Sequence, residues 1–185
     1  MNINQRELRE QLVQQLENAF ADVKYEYPSW HENPLWQLQG KHWRETPIEM
    51  LKRNGFVFGL PRTEDGQFFL PAYILALLTQ ENELEGYDLK LLMALASDIE
   101  TGFEAENDIP FAYLNSKQKR TLLTFIQAYP ILFPNLFTIE HYPTDVKDAL
   151  DDLISQIDSN MPSAHTPYEY WEKAVAFWKN AGENS

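Results

Sequence analysis

The chain has 185 residues, enough for one domain or one domain with an appendage. It carries no cysteine, which excludes disulfides, thiol catalysis, Cys-ligated zinc and iron–sulfur clusters. Its formal charge of −13, from 28 acidic against 15 basic residues, disfavours a general nucleic-acid binder and adhesion to anionic membranes.

Apolar residues make up 44% of the chain, which is ordinary for a globular protein. A domain of this size buries roughly 70% of its unfolded surface, so a core needs no metal. The N-terminal stretch MNINQRELREQL is polar and lacks an apolar signal core. No run approaches the about 20 apolar residues of a membrane span. These features lead to the expectation of a cytoplasmic protein of bacterial type.

In chain order, Asn4–Val23 reads as a helix. Leu8, Leu12, Leu16, Ala19, Phe20 and Val23 recur at spacings of three and four and form one apolar stripe. Glu7, Arg9 and Glu10 fall off that stripe and are expected to face water. Lys24–Asn33 is irregular and crowded with Tyr25, Tyr27, Pro28, Trp30 and His31. It reads as a lid folded on the core, with a recognition surface as the alternative.

Asn33-Pro34 suggests a cap and a first-turn proline for a short helix through Leu35, Trp36 and Leu38, ending near Gly40. His42-Trp43-Arg44 follows; Trp43 is expected in the core, and Arg44 is expected to pair with Glu49 or Asp65. Thr46-Pro47-Ile48-Glu49 is a helix-start pattern, and Gly55 a stop, which places a helix over Pro47–Asn54. A small hairpin between 56–60 and 67–70 about Asp65-Gly66 is conceivable. Pro61 and the shortness of both arms count against it.

Gln67–Gln80, QFFLPAYILALLTQ, is the most apolar run. It reads as a central helix over about 71–80, apolar on nearly every face and beginning at Pro71. A ligand pocket lined by Phe68, Phe69 and Tyr73 is the alternative. Tyr87–Glu100 reads as the next helix, and 108–115 as a loop. Ser116 opens a helix lined by Leu122, Leu123, Phe125, Ile126 and Tyr129 and bounded by Pro130. Lys117, Lys119 and Arg120 sit in its first turns, the unfavourable end for positive charge. Either acidic neighbours pair with them or they meet a partner, and pairing is the expectation.

Residues 131–142 are punctuated by aromatics and prolines and read as irregular. Pro143–Ile157 reads as a helix with an acidic outer side. SNMPSAH at 159–165 is a linker candidate. Thr166-Pro167-Tyr168-Glu169 repeats the helix-start pattern before a final helix with Trp171, Ala174, Val175 and Trp178 inward. The expected fold is all-α: six or seven helices in orthogonal or bundle-like packing around the central one. Residues 1–158 form the domain, and 159–185 add a linker and a docked C-terminal helix.

The chemistry offered by motif is sparse. HExxH, Glu-x-x-His, GxSxG, P-loop and GxGxxG patterns are all missing from the sequence, so no cofactor or metal is expected. Asp148, Asp151 and Asp152 do not have the spacing of a calcium loop. The stretch 81–108 carries Glu81, Glu83, Glu85, Asp88, Asp98, Glu100, Glu104, Glu106 and Asp108 against Lys90 alone. It reads as a solvated surface or as a docking face for a basic protein.

Three segments together resemble a family of small uncharacterised bacterial proteins. They are Ala19-Phe20-Ala21-Asp22-Val23, Trp43-Arg44 with Pro47, Glu49 and Leu51, and Phe68-Phe69-Leu70-Pro71-Ala72-Tyr73. The Leu-Pro-Ala-Tyr piece is the most specific part, and the resemblance spans roughly residues 8–130. It implies no activity and no catalytic residues.

The expected function is protein binding without catalysis, with an immunity- or antitoxin-like inhibitor of a basic partner as the specific version. The candidate binding residues are Tyr25, Trp30, His42, Arg44, Tyr73, Glu81, Glu83, Glu85 and Asp88. The alternative is a small-ligand binder or enzyme whose pocket Tyr25, Trp30, His42 and Tyr73 would line. Self-association through Trp171 and Trp178 is a third possibility.

Overall fold

A computed structural model describes residues 3–26, 37–53, 65–80, 83, 84, 86–96, 111–137 and 166–183. Its elements are helices: α1 (Ile3–Ala19), a 3-10 turn (Trp43–Glu45), α2 (Ile48–Arg53), α3 (Asp65–Thr79), α4 (Tyr87–Ala96), α5 (Ser116–Leu132), α6 (Pro134–Phe137) and α7 (Pro167–Glu183). The fold is all-α. Among the described residues the extended pairing is one isolated bridge, between Lys24 and His42.

α3 is the central element. Phe68 through Ile74 and Ala76 through Leu78 are all buried, so the helix meets protein on nearly every side. It begins six residues earlier than the proline suggested, and Pro71 lies inside it. An interior proline removes one hydrogen bond and costs about 3 kcal/mol. Extending the helix back to Asp65 buries Phe68, Phe69 and Leu70, each gaining about 1.5–3 kcal/mol. Burial therefore outweighs the proline. The same observation removes the hairpin, because its second arm, 67–70, is helical.

α1 packs against α5 and α3, and α7 packs against α4 and α5. The α1 stripe is largely as its spacing predicts, with Leu12, Leu16, Ala19 and Phe20 buried, but the helix ends at Ala19 and Val23 follows a turn. α5 is capped by Asn115, whose side chain accepts from the Gln118 amide at 2.9 Å, while Gln118 accepts from the Asn115 amide at 3.0 Å. α7 has the reciprocal arrangement its sequence announces: Glu169 accepts from the Thr166 amide, and Thr166 Oγ1 accepts from the Glu169 amide at 3.3 Å.

Pro130 does not bound α5, which continues to Leu132. A proline at 130 leaves the Ile126 carbonyl without its i+4 donor. The indole of Trp171 supplies one from α7, with Nε1 donating to the Ile126 carbonyl at 2.8 Å. The neighbouring helix thus repairs the break. Trp178, fully buried on the same face of α7, donates to the Leu95 carbonyl of α4 at 3.1 Å. Residues 134–137, within the stretch read as irregular, form the short turn α6. The expectations for 27–36, 54–64, 97–110 and 138–165, including the Pro143–Ile157 helix and the linker, lie outside the described residues.

Candidate functional site

Of the residues expected to line a pocket, Tyr25 and His42 come together, with Trp43, where the turn after α1 meets the segment before α2. The Tyr25 amide donates to the Lys41 carbonyl and the Gly40 amide to the Tyr25 carbonyl, both at 2.9 Å. Gly40 makes this close approach with φ of +72°, a backbone region open to glycine at little steric cost. Trp43 is buried, and its indole donates to the Phe20 carbonyl at 2.7 Å, joining the corner to the end of α1.

His42 is half-buried and holds a defined tautomer. A carbonyl can only accept, so Nε2 donates to the Ala21 carbonyl at 2.9 Å. Nδ1 is then the acceptor for the Arg44 amide at 3.3 Å. The Glu45 carboxylate accepts from the His42 amide at 2.8 Å, completing a cap on the 3-10 turn. His42 is therefore engaged in holding backbone.

Arg44 pairs with Glu17 of α1 at 2.6 Å, in place of the expected Glu49 or Asp65. Helix packing brings Glu17 to it from 27 residues away, a proximity that sequence spacing cannot show. Glu49 instead meets Lys52 at 3.4 Å.

Tyr25 and Tyr73 are both buried, in different surroundings. Tyr25 packs edge-on to Phe68 with ring centroids 5.1 Å apart. Tyr73 donates to the Leu51 carbonyl at 2.9 Å, and Tyr87, stacked on it, donates to the Lys52 carbonyl at 2.8 Å. Two hydroxyls thus satisfy the last turn of α2. Burial, with Tyr87 beside it, pushes the Tyr73 hydroxyl well above its ordinary pKa.

Of the acidic candidates, Glu83 is exposed and bonds Lys52 at 2.8 Å, which holds its carboxyl below the usual range and the lysine above its own. Asp88 is half-buried at the start of α4, where its side chain accepts from the Leu89 amide at 2.9 Å. Glu81, Glu85 and Trp30 lie outside the described residues.

A cleft of about 580 Å³ opens between the end of α1, the start of α3 and the first turn of α5. Its polar lining includes Asn18, Lys24, Glu26, Gln67, Lys117 and Gln118. Tyr25 reaches it; His42 and Tyr73 do not line it. Among the described members of the expected pocket of Tyr25, Trp30, His42 and Tyr73, Tyr25 alone lines this cleft. A second, shallower groove of about 350 Å³ runs between α1 and α5, lined by Gln15, Asn18, Lys117, Arg120, Thr121 and Thr124. The two share Asn18 and Lys117.

The most consequential residue missed by the sequence reading is Arg9. It is buried, not solvated. Its Nη1 donates to the Leu77 and Leu78 carbonyls at 3.0 and 3.1 Å, and its Nη2 to the Leu132 carbonyl at 3.1 Å. The guanidinium also lies over the Phe133 ring at 5.5 Å. One cation thereby satisfies the C-terminal ends of α3 and α5, where the helix dipoles are negative. The signal was spacing: Arg9 precedes Leu12 by three, and Gln5 precedes Arg9 by four, so all three share a face. Gln5 Nε2 indeed donates to the Ile131 carbonyl at 2.7 Å.

Among the described residues, no group of three or more His, Asp or Glu side chains is placed to hold a metal ion, and no helix is long and apolar enough to cross a membrane. No protein-family model, no curated protein and no solved structure matches the chain.

Proposed function

We propose that the protein works by binding another protein, its anionic surface covering a basic partner in the manner of an immunity- or antitoxin-type inhibitor. The observation that carries this reading is the charge of −13, much of it displayed outward. Glu7, Asp22, Glu26 and Glu172 are exposed and carry no ion pair among the described residues. A surface of one sign speeds encounter with a partner of the other and rejects partners of its own sign.

The test is capture of partners from a lysate of the source cells at low ionic strength, followed by titration of the purified candidate at two salt concentrations. The expected partner is basic, and its affinity falls as salt rises. A neutral or acidic partner, or an affinity indifferent to salt, overturns the electrostatic reading.

A second reading rests on the cleft beside Lys24 and Gln67, whose volume of about 580 Å³ matches that of small-molecule sites. A thermal-shift screen with polar metabolites discriminates the two. Stabilisation by several degrees from one compound class supports the cleft, because a ligand bound only by the native state raises its apparent stability.

A further inference from the structure

Lys117, Lys119 and Arg120 place three of the chain's 15 basic residues within four positions. They occupy the first turns of α5, where the helix dipole already makes the potential positive. Such an arrangement costs stability unless something compensates it. Lys117 is compensated by the other kind of helix end: its Nζ donates to the Asn18 carbonyl, in the last turn of α1. Lys119 and Arg120 have no ion pair among the described residues. Among the described residues, the acidic pairing expected from sequence does not reach these two side chains. The Gln118 and Lys119 amides are engaged by Asn115, and the feature lies in the side chains.

Two of them, Lys117 and Arg120, border the shallow groove between α1 and α5. Its lining has two cations, two hydroxyls and two amides, and no carboxylate, in a chain whose acids outnumber its bases 28 to 15. We infer that this groove docks an acidic peptide segment of a partner protein. Charge complementarity is local here and runs opposite to that of the molecule as a whole. The groove is open along its outer side, a poor enclosure for a small molecule but suited to an extended chain. Gln15, Asn18 and Thr121 carry both donors and acceptors, which a peptide backbone requires and a bare anion does not. A nucleic acid would meet the same cations, but its denser phosphate charge would be repelled more strongly than a short acidic segment by a chain of net charge −13. The inference is independent of the proposed function, since it stands on α5 and not on the acidic surface.

The experiment is fluorescence anisotropy with a dye-labelled oligo-glutamate peptide on the full chain at low salt. Arg120 is exposed, so Arg120→Glu is expected to keep the fold, which far-UV circular dichroism checks. It should weaken binding about tenfold, and Lys117→Gln should weaken it less. Lys179→Glu, an exposed site on α7, should leave it near wild type. Failure of the wild-type chain to bind overturns the proposal. So does equal weakening by Lys179→Glu, or tighter binding of a single-stranded oligonucleotide of matched charge. A salt-sensitive dimer that disappears in Arg120→Glu would assign the groove to a second copy of the chain and equally overturn an acidic partner segment.

Discussion

Arg9 shows how one side chain can decide where two helices end. Its three hydrogen bonds join the last turns of α3 and α5 to α1, and each involves a charged donor in a buried setting. Replacing it by methionine preserves length and apolar stem but leaves three carbonyls without that donor. Arg9→Met should lower stability by about 2–4 kcal/mol in urea unfolding, whereas Arg6→Met, on the exposed side of α1, should stay close to wild type. Arg9→Lys should recover only part of the loss, because an ammonium cannot span carbonyls on two helices as a planar guanidinium does. The tyrosines carry a second prediction. Burial, with Asp88 nearby, pushes the Tyr129 hydroxyl well up, as burial does for Tyr73. A phenol whose folded pKa lies above its unfolded value of about 10 stabilises the fold fully below that pH, and the contribution is lost as pH rises towards the folded value. Stability should therefore fall above about pH 10. Absorbance titration should show two phenols ionising only as the protein unfolds. Tyr129→Phe, which also removes a bond to the Asp88 carbonyl, should cost about 1 kcal/mol at neutral pH and flatten that alkaline loss.

At the scale of elements, two prolines mark where local signals and packing disagree. Pro130 deprives Ile126 of a donor, and Trp171 replaces it from α7. Trp171→Phe should cost about 1–2 kcal/mol in the wild-type background, by stranding that carbonyl. In a Pro130→Ala background, where the backbone amide returns, the same substitution should cost clearly less. Chemical denaturation of the four-member cycle checks this, and additive effects would mean that the indole does not substitute for the missing amide. The periodic helices α1, α2, α4, α5 and α7 were legible because their apolar spacing agrees with their packing. Thr166 and Glu169 even form the reciprocal cap that the sequence spells out. Pro71 and Pro130 were misleading because burial on α3 and a partner indole on α5 override a local preference that the sequence states plainly. Arg9 and the Arg44–Glu17 pair were harder to read, since both depend on which helix ends meet in space. Tyr25, His42 and Tyr73 were grouped by aromatic and polar character alone. They do not line one cleft, because each serves a different stretch of backbone or core.

At the scale of the molecule, the dominant fact is uncompensated negative charge. Ion pairs such as Arg6–Glu10, Arg44–Glu17 and Lys52 with Glu49 and Glu83 leave at least one partner largely exposed to water, where such pairs are weak and screened. Arg9 interacts with helix-end carbonyls at close range, so bulk salt barely reaches it. Self-repulsion within a chain of charge −13 acts over longer distances and is the term that salt weakens most. Stability should consequently rise with sodium chloride: the melting temperature should increase by a few degrees between about 10 mM and 0.5 M, over which the Debye length contracts from about 30 Å to below 8 Å. Differential scanning calorimetry at pH 7 measures this directly. A melting temperature that falls with salt would mean that attractive surface pairs outweigh the repulsion. Self-repulsion would then be a minor term in the fold, and its relief by a basic partner would add little to binding. The reverse result ties stability to recognition, because a basic partner that neutralises the surface relieves the same repulsion as salt. Binding should then raise the melting temperature most at low ionic strength, where both effects are largest.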